Sequence, residues 1–279
     1  KEMISDIKAQ LIDGDRKGTE YTYSVKEYAD YLLAHTSENM EYEKAAPLVE
    51  KMLRYGAYAK EYFDQTDTLD HLGDVTNDIA EPVIENLPDG TTFAGATLSL
   101  KSETTLSLYF KSNATPVFTC DGYDVETVPN GDYLVARIRG IKAAHIGDRL
   151  PLKVNGNKAV TYSPLNYCKN VLADNTQAEK LQNAVKAFYL YYKAADEYFN
   201  VIDLGTVTGD IVVQNSGVIT GTLSGNHKIS IADGATVRLR NANITSLAND
   251  EYYVKYAGIT LLGDATILLE GTNTVKGGY

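Results

Sequence analysis

The sequence predicts an α+β chain of several modules, in which helix pairs alternate with a small antiparallel β-sandwich and a right-handed parallel β-solenoid follows. Three observations carry that prediction. Tyr23-Ser24-Val25-Lys26-Glu27-Tyr28 recurs as Tyr162-Ser163-Pro164-Leu165-Asn166-Tyr167, and Ala59-Lys60-Glu61-Tyr62-Phe63 recurs as Ala195-Asp196-Glu197-Tyr198-Phe199, so one unit is present twice. The stretch between the copies alternates with period two and is broken by Asn-Gly turns. The chain after Asn200 turns rich in Gly, Asn, Thr, Val and Ile, and repeats itself at a 30-residue offset.

Residues 1–23 read as the last hairpin of a preceding β unit, turning near Asp13-Gly14-Asp15. Both termini look cut, and more chain is expected on either side. Residues 24–86 hold the first helix pair and a linker. Ser24 followed by Glu27 is a capping box, and Met52, Tyr55, Ala59, Tyr62 and Phe63 form one apolar stripe at helical spacing. Residues 87–162 form the small β-sandwich: Thr97–Leu100 and Thr105–Phe110 alternate, Asn130-Gly131 joins Val125–Val128 to Tyr133–Ile138, and Asn155-Gly156 joins Leu150–Val154 to Ala159–Tyr162. Residues 163–200 are the second helix pair. It opens with Ser163 before Pro164, a cap with proline in the first turn, and carries the stripe Phe188, Tyr191, Ala195, Tyr198, Phe199. Both stripes are expected to be core, since a helix must bury one face. In 201–279, Ile229–Ile231 and Ala235–Leu239 match Ile259–Leu261 and Ala265–Leu269. Short strands punctuated by Asp233-Gly234 and Gly263-Asp264 read as rungs of a solenoid truncated at its end. A twisted antiparallel sandwich is the alternative for this segment.

Charge narrows the partners. The chain has a net charge of −11, and residues 1–86 supply 19 acidic against 9 basic side chains. Such a surface repels phosphate backbones, so nucleic acid is not expected as a partner. No run of about 18 apolar residues is present, so no membrane insertion is expected in this segment. Cys120 and Cys168 lack any paired spacing and are expected to be buried thiols.

The run Tyr23–Phe63, with Ala45-Ala46-Pro47-Leu48-Val49 and Met52-Leu53-Arg54-Tyr55-Gly56-Ala57-Tyr58-Ala59, together with Leu98–Leu106, resembles modules of large surface proteins of Clostridia-type gut bacteria. In those proteins a small β-sandwich alternates with such helix pairs. The tail Gly258–Val275 resembles β-solenoid repeats often labelled carbohydrate-binding in secreted bacterial proteins. The resemblance implies a secreted, cell-surface, extracellular location. Some gut Clostridia surface proteins of this general make-up bind host immunoglobulins.

Chemistry is sparse in the sequence. His35, His71, His145 and His227 are scattered, without a second ligand at metal spacing. No nucleophile elbow and no phosphate-binding glycine loop occur. Asp13-Gly14-Asp15 lacks the further ligands of a calcium loop. Asp210, Asp233 and Asp264 could serve a glycosidase only as a cross-cleft pair, and they read as turn formers. No catalytic residue, metal or cofactor is therefore expected. The expected function is non-catalytic binding of a host ligand, either a protein such as immunoglobulin or a glycan such as mucin. A passive stalk and a polysaccharide-acting enzyme are the alternatives. The candidate contact residues are Asp250, Glu251, Tyr252, Tyr253 and Tyr256, in an insertion that concentrates tyrosine in one loop. The acidic helical face of residues 26–64 is the second candidate.

Overall fold

A computed structural model describes residues 6–64, 69–76, 79–100, 103–245 and 257–278. The chain is mixed α/β. It opens with a hairpin, β1 (Ile7–Asp13) and β2 (Arg16–Tyr23), and two helices, α1 (Val25–Ala34) and α2 (Met40–Asp64). Strands β3 (Val83–Ile84), β4 (Thr91–Leu100), β5 (Thr104–Ser112), β6 (Phe118–Cys120), β7 (Val125–Asn130), β8 (Tyr133–Ile141), β9 (Leu150–Val154) and β10 (Asn157–Tyr162) follow. Then come α3 (Pro164–Ala173) and α4 (Glu179–Phe199). The last strands are β11 (Val201–Asp203), β12 (Ile211–Val213), β13 (Gly217–Thr222), β14 (Ile229–Ile231), β15 (Thr236–Thr245), β16 (Thr260–Leu261), β17 (Thr266–Glu270) and β18 (Thr274–Lys276). No helix among the described residues is long and apolar enough to cross a membrane.

Local chemistry sets the helix starts. Ser24 Oγ accepts from the Glu27 N–H at 3.2 Å. Ser163 Oγ accepts from the Leu165 N–H at 3.2 Å, while Asn166 Oδ1 accepts from the Ser163 N–H at 2.8 Å, and Pro164 occupies the first turn. The two hairpin turns also follow the sequence: Asn155 and Gly156 take φ of 51° and 85°, as a two-residue turn between twisted strands requires. Gly131 takes φ of 58° between β7 and β8.

The expected alternation of separate modules is corrected by the packing. Two four-stranded antiparallel sheets form, β4-β5-β8-β7 and β3-β10-β9-β6. They share one apolar core with α2, α3 and α4. Phe110 bridges the sheets, its ring centroid 5.6 Å from that of Phe93 and 4.8 Å from that of Phe118. Tyr55 of α2 meets Phe188 and Tyr191 of α4 at 5.3 and 5.9 Å. The stripes of the two helix pairs thus bury much of their apolar area against each other and the sheets, rather than each pair closing on itself. Neither stripe is wholly core: Phe63, Tyr198 and Phe199 at their C-terminal ends are exposed.

The expected β-solenoid is also corrected. Among the described residues there is no closed coil. The strands after α4 lie in two small parallel sheets, one ordered β11-β13-β15-β17 with β18 also on β15, the other β12-β14-β16. Chain length between rungs supplies the reason. Val201 pairs with Val218, Gly217 with Val237, and Thr236 with Thr266, so the connection lengthens along the chain and the rungs are not equivalent. The 30-residue spacing read from the sequence is the β15–β17 and β14–β16 register. Inside, Leu204, Ile219, Ile229, Ile231, Val237, Leu239 and Ile244 form a second core.

A continuous first core makes the helices and the antiparallel sheets rise and fall together. Phe188→Ala, at a side chain 2% exposed, should cost about 3–5 kcal/mol in urea unfolding. Amide exchange should quicken in α2, α4, β5 and β8 alike. Quickening confined to α4 would show separate units.

Candidate ligand-binding surface

The hairpin β1–β2 supplies an apolar face that its own fold leaves open. Alternate residues of a strand share a face. Ile7 lies opposite Tyr23 and Ala9 opposite Tyr21, so these four share one side. Lys8, Gln10, Glu20 and Thr22 take the other, where Lys8 Nζ contacts Glu20 Oε1 at 2.8 Å. Every residue of both strands is exposed; Tyr21 is 70% exposed, and Leu11, at the bulge in β1, is 80% exposed.

Helix α1 extends this surface. It buries Ala29 and Leu32 and leaves Tyr28 and Tyr31 out. Tyr23 and Tyr28 lie with ring centroids 6.3 Å apart, and the Tyr31 ring stacks on His35 at 3.9 Å. Tyr42 lies near Tyr28, and that proximity is the first cause that raises the Tyr42 pKa. Acidic residues flank the rings: Glu27, Asp30, Glu38, Glu41 and Glu43 lie on or beside the same elements. Asp30 is paired with Lys26 and Glu41 with Lys44.

Other candidates from the sequence fall elsewhere. Asp250, Glu251, Tyr252, Tyr253 and Tyr256 lie outside the described residues. Asp233 Oδ1 accepts the Asp264 N–H at 2.8 Å, and Asp210 Oδ1 accepts the Lys228 N–H at 2.8 Å. Those carboxylates hold turns between neighbouring strands. Asp13-Gly14-Asp15 is the β1–β2 turn, with Gly14 at φ 57°. Cys120 and Cys168 are free and buried, and desolvation pushes both thiols up to about 12. Among the described residues, no three His, Cys, Asp or Glu side chains gather as a metal cluster.

Sequence reasoning missed the ionic seam where α4 meets the parallel strands. Buried Asp148 accepts from Ser216 N–H at 3.1 Å and Ser216 Oγ at 2.7 Å, and its other oxygen pairs with His145 Nδ1 at 2.9 Å. Asp196, Glu197 and Glu270 surround Arg238 and Arg240. The hydrophobic register of α4 hides these residues, since Asp196 sits within an apolar stripe that reads as core. Comparison of the chain with family models, with curated proteins and with solved structures finds no match.

The hydrogen bond His145 Nδ1–H donates to the Asp148 carboxylate raises the His145 pKa above its ordinary value, against the opposing effect of desolvation. A group whose pKa is raised on folding stabilises the fold fully below the unfolded value, about 6.5, and loses that contribution as pH rises through the folded value. Thermal melts between about pH 5 and about pH 8 should therefore show stability falling with pH above that point. His145→Gln should flatten this slope, and an unchanged slope would assign it to other groups.

Proposed function

We propose that this chain is a non-catalytic, extracellular surface-protein segment that binds a host protein through the tyrosine face of β1, β2 and α1. One observation carries this reading. Tyr23 and Tyr162 are equivalent in the internal repeat, and each ends the second strand of a hairpin that leads into a capped helix. Tyr162 is 4% exposed and its ring centroid lies 6.0 Å from that of Phe93, whereas Tyr23 is 52% exposed. Tyr21, Tyr28 and Tyr31 lie exposed beside Tyr23, at 70%, 48% and 50%.

Tyrosine suits such a face. Its ring gives large contact area at little entropic cost, and its hydroxyl satisfies a polar neighbour. A contiguous exposed aromatic patch marks an interaction surface, and a passive stalk does not require one. The acidic flank favours a partner with basic residues around an apolar centre, so binding should weaken as salt screens the rim. The sequence resemblance to gut surface proteins makes immunoglobulin the first protein to test, with mucin as the glycan-bearing comparison.

Titration of the chain against host immunoglobulin and mucin by surface resonance checks the proposal. Tyr21→Ser, Tyr23→Ser and Tyr31→Ser, together, should weaken protein binding about tenfold or more. Because the rings are exposed, the melting temperature should stay within the scatter expected of surface substitutions, about 0.5 kcal/mol each. Intact binding in the triple variant removes this face. Binding to mucin alone favours a glycan ligand.

A further inference from the structure

The parallel sheets present an apolar edge. β17 pairs with β15 on one side, and among the described residues no strand lies on its other side. The register shows what that edge uncovers. Val237 and Leu239 of β15 are buried, while Ile267 and Leu269, their neighbours on β17, are exposed. Ile231 is buried, while its neighbour Leu261 on β16 is exposed, and the same holds for Ile244 and Val275 on β18. The contrast is greatest at Leu239 and Leu269, 2% and 70% exposed. The second core thus opens to solvent beside β17.

Backbone groups on this edge are open too. The Thr266 N–H donates to the Ala235 carbonyl at 2.9 Å. The N–H and C=O of successive strand residues point to opposite sides. Thr266, Leu268 and Glu270 therefore turn theirs toward β15, and Ile267 and Leu269 turn theirs to the free side. Edge strands are usually blunted by proline, lysine or a bulge, because an open one pairs with another chain. The antiparallel sheet shows such devices: β7 carries Pro129, and β4 has a bulge between Phe93 and Gly95. β17, Thr-Ile-Leu-Leu-Glu, has none of them.

We propose that this chain forms a dimer in which β17 pairs antiparallel with β17 of a second copy, about a two-fold axis through Leu268. The strand is complementary to itself in that register. With Leu268 opposite Leu268 of the second copy, Ile267 lies opposite Leu269 and Thr266 opposite Glu270. Ile267 and Leu269 are the two residues with outward backbone groups, so each exchanges both hydrogen bonds with the other across the axis. No like charges meet. Glu270 is the one charged residue of the strand, it faces a threonine, and its own chain pairs it with Arg238 and Arg240. Residues opposite each other in an antiparallel pair share a face. Ile267 and Leu269 of both copies then lie on the side of Val237 and Leu239, and two open cores become one. The interface includes none of Tyr21, Tyr23, Tyr28 and Tyr31, and it stands or fails independently of the tyrosine face.

Sedimentation of the full chain across the micromolar range tests the pairing. The mass should rise with concentration to twice that of the chain. Leu269→Lys should weaken association about tenfold or more. Leu269 is exposed, so the melting temperature of the dilute variant should not fall. Leu268→Cys reads the register and serves if the lysine variant fails to fold. Opposite residues of a non-hydrogen-bonded antiparallel pair have Cα atoms about 4.5 Å apart, within reach of a disulfide. Mild oxidation should therefore give a covalent dimer of Leu268→Cys and none of the parent chain, whose two cysteines are buried. A parent chain that stays monomeric at every concentration overturns the proposal. Association unchanged by Leu269→Lys, or no cross-link through Leu268→Cys, places the interface elsewhere and overturns it as well. Loss of the dimer in the triple tyrosine variant assigns association to that face instead.

Discussion

The guanidinium of Arg238 sets how the two halves of this chain meet. It projects from β15 into a space where it is only 7% exposed as a residue, and a charge so placed must be compensated. Compensation comes from two directions: Asp196 on α4 and Glu270 on β17. Arg240, two residues on and so on the same face of β15, repeats the arrangement with Glu197 and Glu270. Desolvation alone would raise the Glu270 pKa, yet the two arginines overcome it and hold that carboxyl below its ordinary value. Desolvation dominates at Asp196 and raises it. Removal of one partner from such a set leaves an uncompensated buried charge, at about 3–5 kcal/mol. The angle of α4 on the sheet and the pairing of β17 with β15 are therefore fixed together.

Hydrogen bonds also close the seam. Asn200, which caps α4, donates from Nδ2 to the Ala144 carbonyl at 2.9 Å, and its own carbonyl accepts from Val218 N–H at 2.9 Å. One side chain and one backbone group thus tie the helix end to both sides. A comparable device holds the segment after α2. Lys186 of α4 is buried and donates to the Leu72 carbonyl at 3.1 Å and to Asp74 at 3.0 Å, while Asn183 accepts from Leu72 N–H at 3.3 Å. Glu61 of α2 accepts from Leu69 N–H at 3.1 Å. Two of these anchors, Lys186 and Glu61, are charged residues buried within their helices, and two, Asn183 and Asn200, are neutral amides.

Local signals were legible in the sequence, and long-range ones were not. Ser24, Ser163 and Pro164 mark helix starts by hydrogen bonds that span only a few residues, and Asn155-Gly156 fixes a turn by its own backbone preference. The 30-residue spacing is legible for the same reason, since parallel neighbours repeat their side-chain pattern. Periodicity tells which face of a helix is apolar but not what covers it, and so the packing of α2 on α4 was not legible. The parallel sheets failed as a regular coil because pattern shows rung identity, while rung length is decided by connections of unequal size. Of the surface sites, the tyrosines of α1 and β2 were visible as residues, but their exposure depends on what the preceding hairpin covers. Arg238 carries no motif, and only the fold brings it to Asp196, Glu197 and Glu270.

The pairing of α2 with α4 bears on how the chain can be made. Synthesis runs from the N-terminus, and domains generally fold as units in that order. Tyr55 and Tyr58 precede their cover, and Phe188, which covers Tyr55, follows it by 188 − 55 = 133 residues. β3 likewise waits for β10, its partner at Val160 and Thr161. Contacts of such sequence separation form late and slowly. Until α4 has been added, the aromatic face of α2 and the two-residue strand β3 lack the partners that cover them in the folded chain.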